Sequence, residues 1–132
     1  ALIRSASSAV PVAIASGSRP HEIRPILRRF GVESVLRALV SAEDVARTKP
    51  DPEPYLKAAA ALGADPRDCL AIEDTPTGAR AAVAAGFVVV GVEHTNRAAE
   101  LEAVGAHHVV SEIGALSPEA LRVIWDRCVA RP

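Results

Sequence analysis

Short runs of aliphatic and β-branched residues alternate along this chain with stretches whose apolar positions recur every three or four residues. That alternation predicts strands interleaved with helices and a parallel α/β sheet. The strand candidates are residues 11–15, 36–40, 70–73, 87–92 and 108–110, all short and mostly apolar, as strands covered on both faces are. Helical spacing fills the intervals. Ile23, Ile26, Leu27 and Phe30 form a stripe stopped by Gly31, with Pro25 expected to weaken or kink the first turns. Asp51 is expected to cap a helix that has Pro52 at its first position, runs to Leu62 and is closed by Gly63. Thr75-Pro76 repeats the start signal for a helix through Ala85, closed by Gly86. A shorter helix is expected over 96–104, and Ser117-Pro118 opens a last one, striped by Leu121, Ile124, Trp125 and Cys128, with Trp125 as core or edge packing. Residues 1–9 read as the tail of a helix.

No repeat, linker or low-complexity segment interrupts this order, so residues 1–132 read as one domain. The expected fold is a three-layer, Rossmann-like, doubly wound parallel sheet. Composition narrows the function more than the fold. Basic and acidic side chains balance at 15 against 16, which leaves no field to hold a nucleic-acid backbone. The longest apolar run falls far short of the roughly 18–20 residues of a membrane span, and no secretory signal opens the chain. Cys69 and Cys128 are far apart and form no CxxC, so neither zinc nor a disulfide framework is signalled, and a reducing cytoplasm is the expected compartment.

In a doubly wound sheet, ligands collect at the carboxyl ends of the strands. Three strand-end loops carry candidate chemistry. Ser16-Gly17-Ser18 follows the first strand: a hydroxyl beside a glycine amide at the mouth of a helix is a phosphate cradle, although the same residues also make ordinary turns. Lys49, one of only two lysines in an arginine-rich chain, follows the second strand in Arg47-Thr48-Lys49-Pro50-Asp51-Pro52, where its ammonium could reach a phosphoryl oxygen or simply be solvated. Glu73-Asp74 ends the third strand. Two adjacent carboxylates at the end of an apolar strand are costly unless a hard cation such as Mg²⁺ offsets them, or unless Asp74 or Thr75 simply caps the next helix while Glu73 faces solvent. Cradle, cation and metal ligands together are the parts of a phosphoryl-transfer site.

The ordered succession Val12-Ala13-Ile14-Ala15-Ser16-Gly17-Ser18, Lys49-Pro50-Asp51-Pro52 and Ile72-Glu73-Asp74-Thr75-Pro76-Thr77-Gly78 resembles the haloacid dehalogenase superfamily, most closely its phosphatase and β-phosphoglucomutase-like branch. The resemblance implies a Mg²⁺-dependent phosphohydrolase of small phosphorylated metabolites that works through an aspartyl-phosphate. It makes Ser16 and Gly17 the phosphoryl-binding hydroxyl and amide, and Lys49 the lysine that binds phosphate and steadies the nucleophile. Asp74 becomes a Mg²⁺ ligand and Glu73 a second ligand or an outer partner, while Thr75 and Gly78 become structural residues at a helix start.

Such enzymes also carry an Asp-x-Asp nucleophile motif on the central strand, and a helical cap. Aspartate occurs here at 44, 51, 65, 68, 74 and 126, never in that spacing. The resemblance therefore implies a partial core: cap and first motif absent, a gap in the sheet between the strand ending at Ser16 and the one ending at Glu73, and an upstream segment or another chain to supply the strand. The isolated chain is expected to be inactive. A phosphomutase shares every residue named, and a non-catalytic phosphate- and metal-binding module would keep the same site. A receiver-type signalling domain is disfavoured because Lys49 precedes a helix, and a dinucleotide site because GxGxxG is absent. His107-His108 reads as a surface or edge pair.

Overall fold

The computed structural model describes residues 1–129. Six helices and five parallel strands alternate in the expected order: α1 (Leu2–Ser7), β1 (Ala13–Ala15), α2 (Pro20–Arg29), β2 (Ala38–Val40), α3 (Glu53–Leu62), β3 (Leu70–Glu73), α4 (Pro76–Ala85), β4 (Val88–Val92), α5 (Ala98–Ala103), β5 (His108–Val110) and α6 (Pro118–Val129). Short 3₁₀ turns, which the pattern of apolar positions does not mark, lie at Glu33–Val35, Ala42–Asp44, Pro66–Asp68 and Ile113–Ala115.

The ladder is broken in one place. β1 pairs with β2, and β3 with β4 and β5, while β1 and β3 belong to separate sheets. The break lies at the expected position, between the strand ending beside Ser16 and the strand ending at Glu73.

Side chains alternate along the strands, so each face of the larger sheet packs on its own helices. Ala71 and Val89 face a core built from Tyr55, Ala59, Ala79, Ala82, Phe87 and Leu101, hence from α3, α4 and α5. Leu70, Ile72, Val90 and Val92 face the other side, with Ile124, Leu121 and Leu2 from α6 and α1. The result is helix, sheet, helix: the three-layer order expected. The run of alanines in α4 explains how closely that helix approaches, since Ala79, Ala81 and Ala82 are wholly buried and offer only methyl groups to the sheet. Gly91 serves the same purpose on β4, where a Cβ would stand 3.1 Å from Leu101 and 3.2 Å from Val109.

Local signals are largely obeyed. Thr75 caps α4 by accepting from the Gly78 amide at 3.1 Å, and Gly63 and Gly86 close α3 and α4 with left-handed backbones (φ 67° and 96°). Two expectations shift. α3 starts at Glu53, with Pro52 rather than Asp51 at the cap position. Asp51 still receives the Glu53 amide at 2.9 Å, so its side chain does a cap's work from one residue further out. Pro25 lies within α2, which runs unbroken from Pro20 to Arg29. Trp125 is half-buried on α6, and the His107 ring lies at a sheet edge, where its Nδ1 accepts from the Val89 amide at 3.0 Å. Among the described residues no helix is long and apolar enough to cross a membrane.

Candidate active site

Every candidate residue lies at the carboxyl end of a strand or in the loop that follows it. The Lys49 loop is built by short-range bonds. Ser41 and Asp44 form a reciprocal cap, with the Ser41 amide donating to Asp44 Oδ2 at 2.7 Å. Glu53, in the first turn of α3, then reaches back to accept the Ala46 and Arg47 amides at 3.0 and 2.6 Å. Those two donors hold the Glu53 carboxyl below the usual carboxylate range, with Lys57 adding to the effect. The segment is thereby pinned to α3, and Lys49 emerges from it across a cis peptide to Pro50.

Lys49 bridges the break in the sheet at the carboxyl ends of its strands. Its Nζ donates to the Ala15 carbonyl at 3.1 Å and to Glu73 Oε1 at 2.5 Å. Ala15 is the last residue of β1 and Glu73 the last of β3, so one ammonium joins two strand ends that share no ladder. The pair is well shielded, the lysine side chain 20 % and the glutamate 7 % exposed, and water screens it far less than a surface pair.

Two further residues fix Glu73. The hydroxyl of Tyr55, on the buried face of α3, donates to the same Oε1. The Tyr55 ring lies 5.0 Å from Lys49 Nζ and meets Phe87 edge-on at 5.2 Å. On the other side the carboxylate lies against Gly78, where a Cβ would overlap all three of its atoms; Gly78 thus serves the site as well as the helix start. Burial first, then the negative charge of Glu73 and the hydrogen bond to it, push the Tyr55 phenol well above its ordinary value of 10.0.

Ser16 and Gly17 share a small cleft with Thr48 and Lys49. The Ser16 Oγ accepts from the Ser18 amide at 3.1 Å, which sets the turn and leaves the hydroxyl proton free to donate. Asp74 is exposed beside Glu73, and its backbone carbonyl accepts from Asn96 at 3.3 Å. Ser16, Gly17 and Lys49 therefore come together, and Lys49 binds Glu73 directly. Asp74 stands at the same edge with its carboxylate free to accept. Among the described residues no three His, Cys, Asp or Glu side chains are grouped to hold a metal ion. Tyr55 and Glu53 were not singled out by sequence reasoning. A signal for Tyr55 was present: it is the chain's sole tyrosine, on a helix face otherwise lined with alanine, and a buried phenol needs a partner.

Fold and site define a class: a Rossmann-like α/β protein with a serine–glycine turn, a shielded lysine and an acidic pair gathered at one sheet edge. Residues 1–86 match the family model described as haloacid dehalogenase-like hydrolase, and the chain belongs to that family. It is 36 % identical to the β-phosphoglucomutase of Bacillus subtilis over 118 residues, which is 89 % of this chain and 49 % of that protein. It is 42 % identical to hexitol phosphatase B of Escherichia coli over 74 residues, 56 % of this chain and 33 % of that one. Among solved structures, a β-phosphoglucomutase from Clostridium difficile superposes with a TM-score of 0.86 at 25 % identity, over 98 % of this chain and 55 % of the other. A haloacid dehalogenase-family hydrolase from Deinococcus radiodurans, solved with bound phosphate and sodium, gives 0.81 at 33 % identity, over 92 % of this chain and 56 % of that one. The chain thus spans about half the length of the relatives it matches over most of its own.

Proposed function

We propose that this chain forms the phosphoryl-binding part of a Mg²⁺-dependent phosphohydrolase that acts on small phosphorylated metabolites. The observation that carries the reading is Lys49 Nζ at the break between β1 and β3, bonded to both strand ends and sharing a cleft with Ser16 and Gly17. A phosphoryl group seated there would meet the Ser16 hydroxyl, the Gly17 amide and the lysine charge, and phosphoryl transfer is mostly positioning and charge neutralisation.

For Mg²⁺ the fit divides the acidic pair. Mg²⁺ keeps several waters and takes one or two carboxylates plus substrate oxygens, so the exposed Asp74 suits it as one ligand. Glu73, with Oε1 already accepting from Lys49 and Tyr55, suits the outer position that orients the lysine. When bound, the ion would neutralise charge on the phosphoryl oxygens.

The attacking aspartate of the proposed aspartyl-phosphate is not among these 132 residues in the expected motif, and the family resemblance puts the strand carrying it between β1 and β3, which share no ladder. The chain alone is therefore expected to turn over no aryl phosphate above a protein-free blank in the presence of Mg²⁺. Robust hydrolysis abolished by Asp74→Ala would overturn that part of the proposal. The identity to a β-phosphoglucomutase over 89 % of the chain supports phosphomutase activity as a second reading. Assaying a hexose phosphate for rearrangement against release of inorganic phosphate, once the attacking strand is supplied, separates the two.

A further inference from the structure

We propose that Tyr55 is a positioning residue of this site: its hydroxyl holds Glu73 in place, and through Glu73 it fixes Lys49. The proposal rests on the phosphoryl-binding reading for its purpose, but its geometry stands apart from it. Three contacts meet at one buried phenol. The hydroxyl donates to Glu73 Oε1, the oxygen that also accepts from Lys49; the ring underlies Lys49 Nζ at 5.0 Å; and the ring edge is braced by Phe87 at 5.2 Å.

The carboxylate has few alternatives. Glu73 is 8 % exposed and lies against Gly78, so removing the phenol oxygen would leave a shielded anion with Lys49 as its one side-chain donor among the described residues, beside a void where the hydroxyl had been. Such a group gains by turning toward water, because a buried charge short of hydrogen bonds is costly. Lys49 would then lose the partner that ties it to the end of β3 and keep only the Ala15 carbonyl. A residue that merely filled the core would show no such link to the lysine.

The chain's lysine content makes the link measurable. Lys49 and Lys57 are its only lysines, and Lys57 is an exposed internal reference. The test is limiting acetylation with acetic anhydride, read site by site by mass spectrometry, on the natural chain and on Tyr55→Phe. Lys49 should acetylate more slowly than Lys57 in the natural chain. In Tyr55→Phe its rate should rise at least about ten-fold, the equivalent of one lost charge-assisted hydrogen bond, with Lys57 unchanged. An unchanged Lys49 rate, or an equal rise at both lysines, would overturn the proposal. Should Tyr55→Phe not hold its fold, 3-fluorotyrosine at the sole tyrosine position keeps the shape and strengthens the donor. Lys49 labelling should then slow, and an unaltered rate would overturn the proposal. Inorganic phosphate added to the natural chain tests the underlying reading separately: protection of Lys49 supports phosphoryl binding, and its absence counts against that reading while the Tyr55 result stands by itself.

Discussion

Gly78→Ala sets two of the fold's requirements against each other. Gly78 lies in the first turn of α4 with no positive φ, so by helix propensity alone the substitution should stabilise by about 1 kcal/mol. The new methyl would, however, overlap the Glu73 carboxylate, the group that Lys49 and Tyr55 both grip. Expelling that carboxylate gives up two charge-assisted hydrogen bonds, each worth about 1.5–3 kcal/mol, and leaves the Tyr55 hydroxyl buried without its acceptor. Rehydration of the freed carboxylate recovers part of the loss. A net destabilisation of roughly 2 kcal/mol remains, equivalent to a fall in Tm of about 6–10 °C for a chain of this size. Thermal unfolding followed by circular dichroism measures it, with Gly114→Ala as the control, because a Cβ at Gly114 meets nothing within 4 Å. A Tm equal to or above that of the natural chain would refute the reasoning, since it would mean that Glu73 moves aside at no cost and is not held as described.

Three other outcomes follow from the same contacts. The sole tyrosine can be titrated directly by its absorbance. Because its pKa is raised in the folded chain, the stability it contributes is complete below pH 10.0 and declines above it, so phenolate should appear only as the protein unfolds; ionisation near pH 10 in a folded chain would contradict the buried bond to Glu73. Glu53 has the opposite sign. Its depressed pKa supplies stability above the ordinary value of 4.5 that is lost as pH falls through that value and below, and Glu53→Gln should flatten this acid limb in denaturant titrations. Asp74→Asn should weaken Mg²⁺ binding, read by calorimetry in the presence of inorganic phosphate, while changing the unfolding free energy by no more than about 0.5 kcal/mol, as expected for an exposed side chain.

The order of the elements was legible because each obeys a local rule. β3 and β5 have the expected bounds, and α4 has the expected cap and glycine stop, because Thr75, Pro76 and Gly86 act within one turn of where they stand. The remaining strands are shorter than their apolar runs: β1 and β2 keep only the residues that find a parallel partner, and pairing is not a local property. The break in the sheet was legible too, but only through the resemblance, since periodicity counts strands without ordering them. At the site, residue types were readable and their partners were not. Lys49 and Glu73 are 24 positions apart and were assigned separate tasks, yet they form one ion pair. Tyr55 looks like any apolar position on α3 until folding brings its hydroxyl to Glu73. Glu53 looks like a solvated helix charge until the loop ahead of it turns two amides toward its carboxylate.

The central claim is that Ser16, Gly17 and Lys49 form a seat for a phosphoryl group, and titrating the chain with inorganic phosphate in the presence of Mg²⁺ tests it most directly. Calorimetry on the natural chain and on Lys49→Met, with circular dichroism to verify that both are folded, should give saturable one-site binding that weakens at least ten-fold, about 1.4 kcal/mol, when the lysine charge is removed. Equal affinity in the two folded proteins, or no saturable binding by the natural chain, would contradict it.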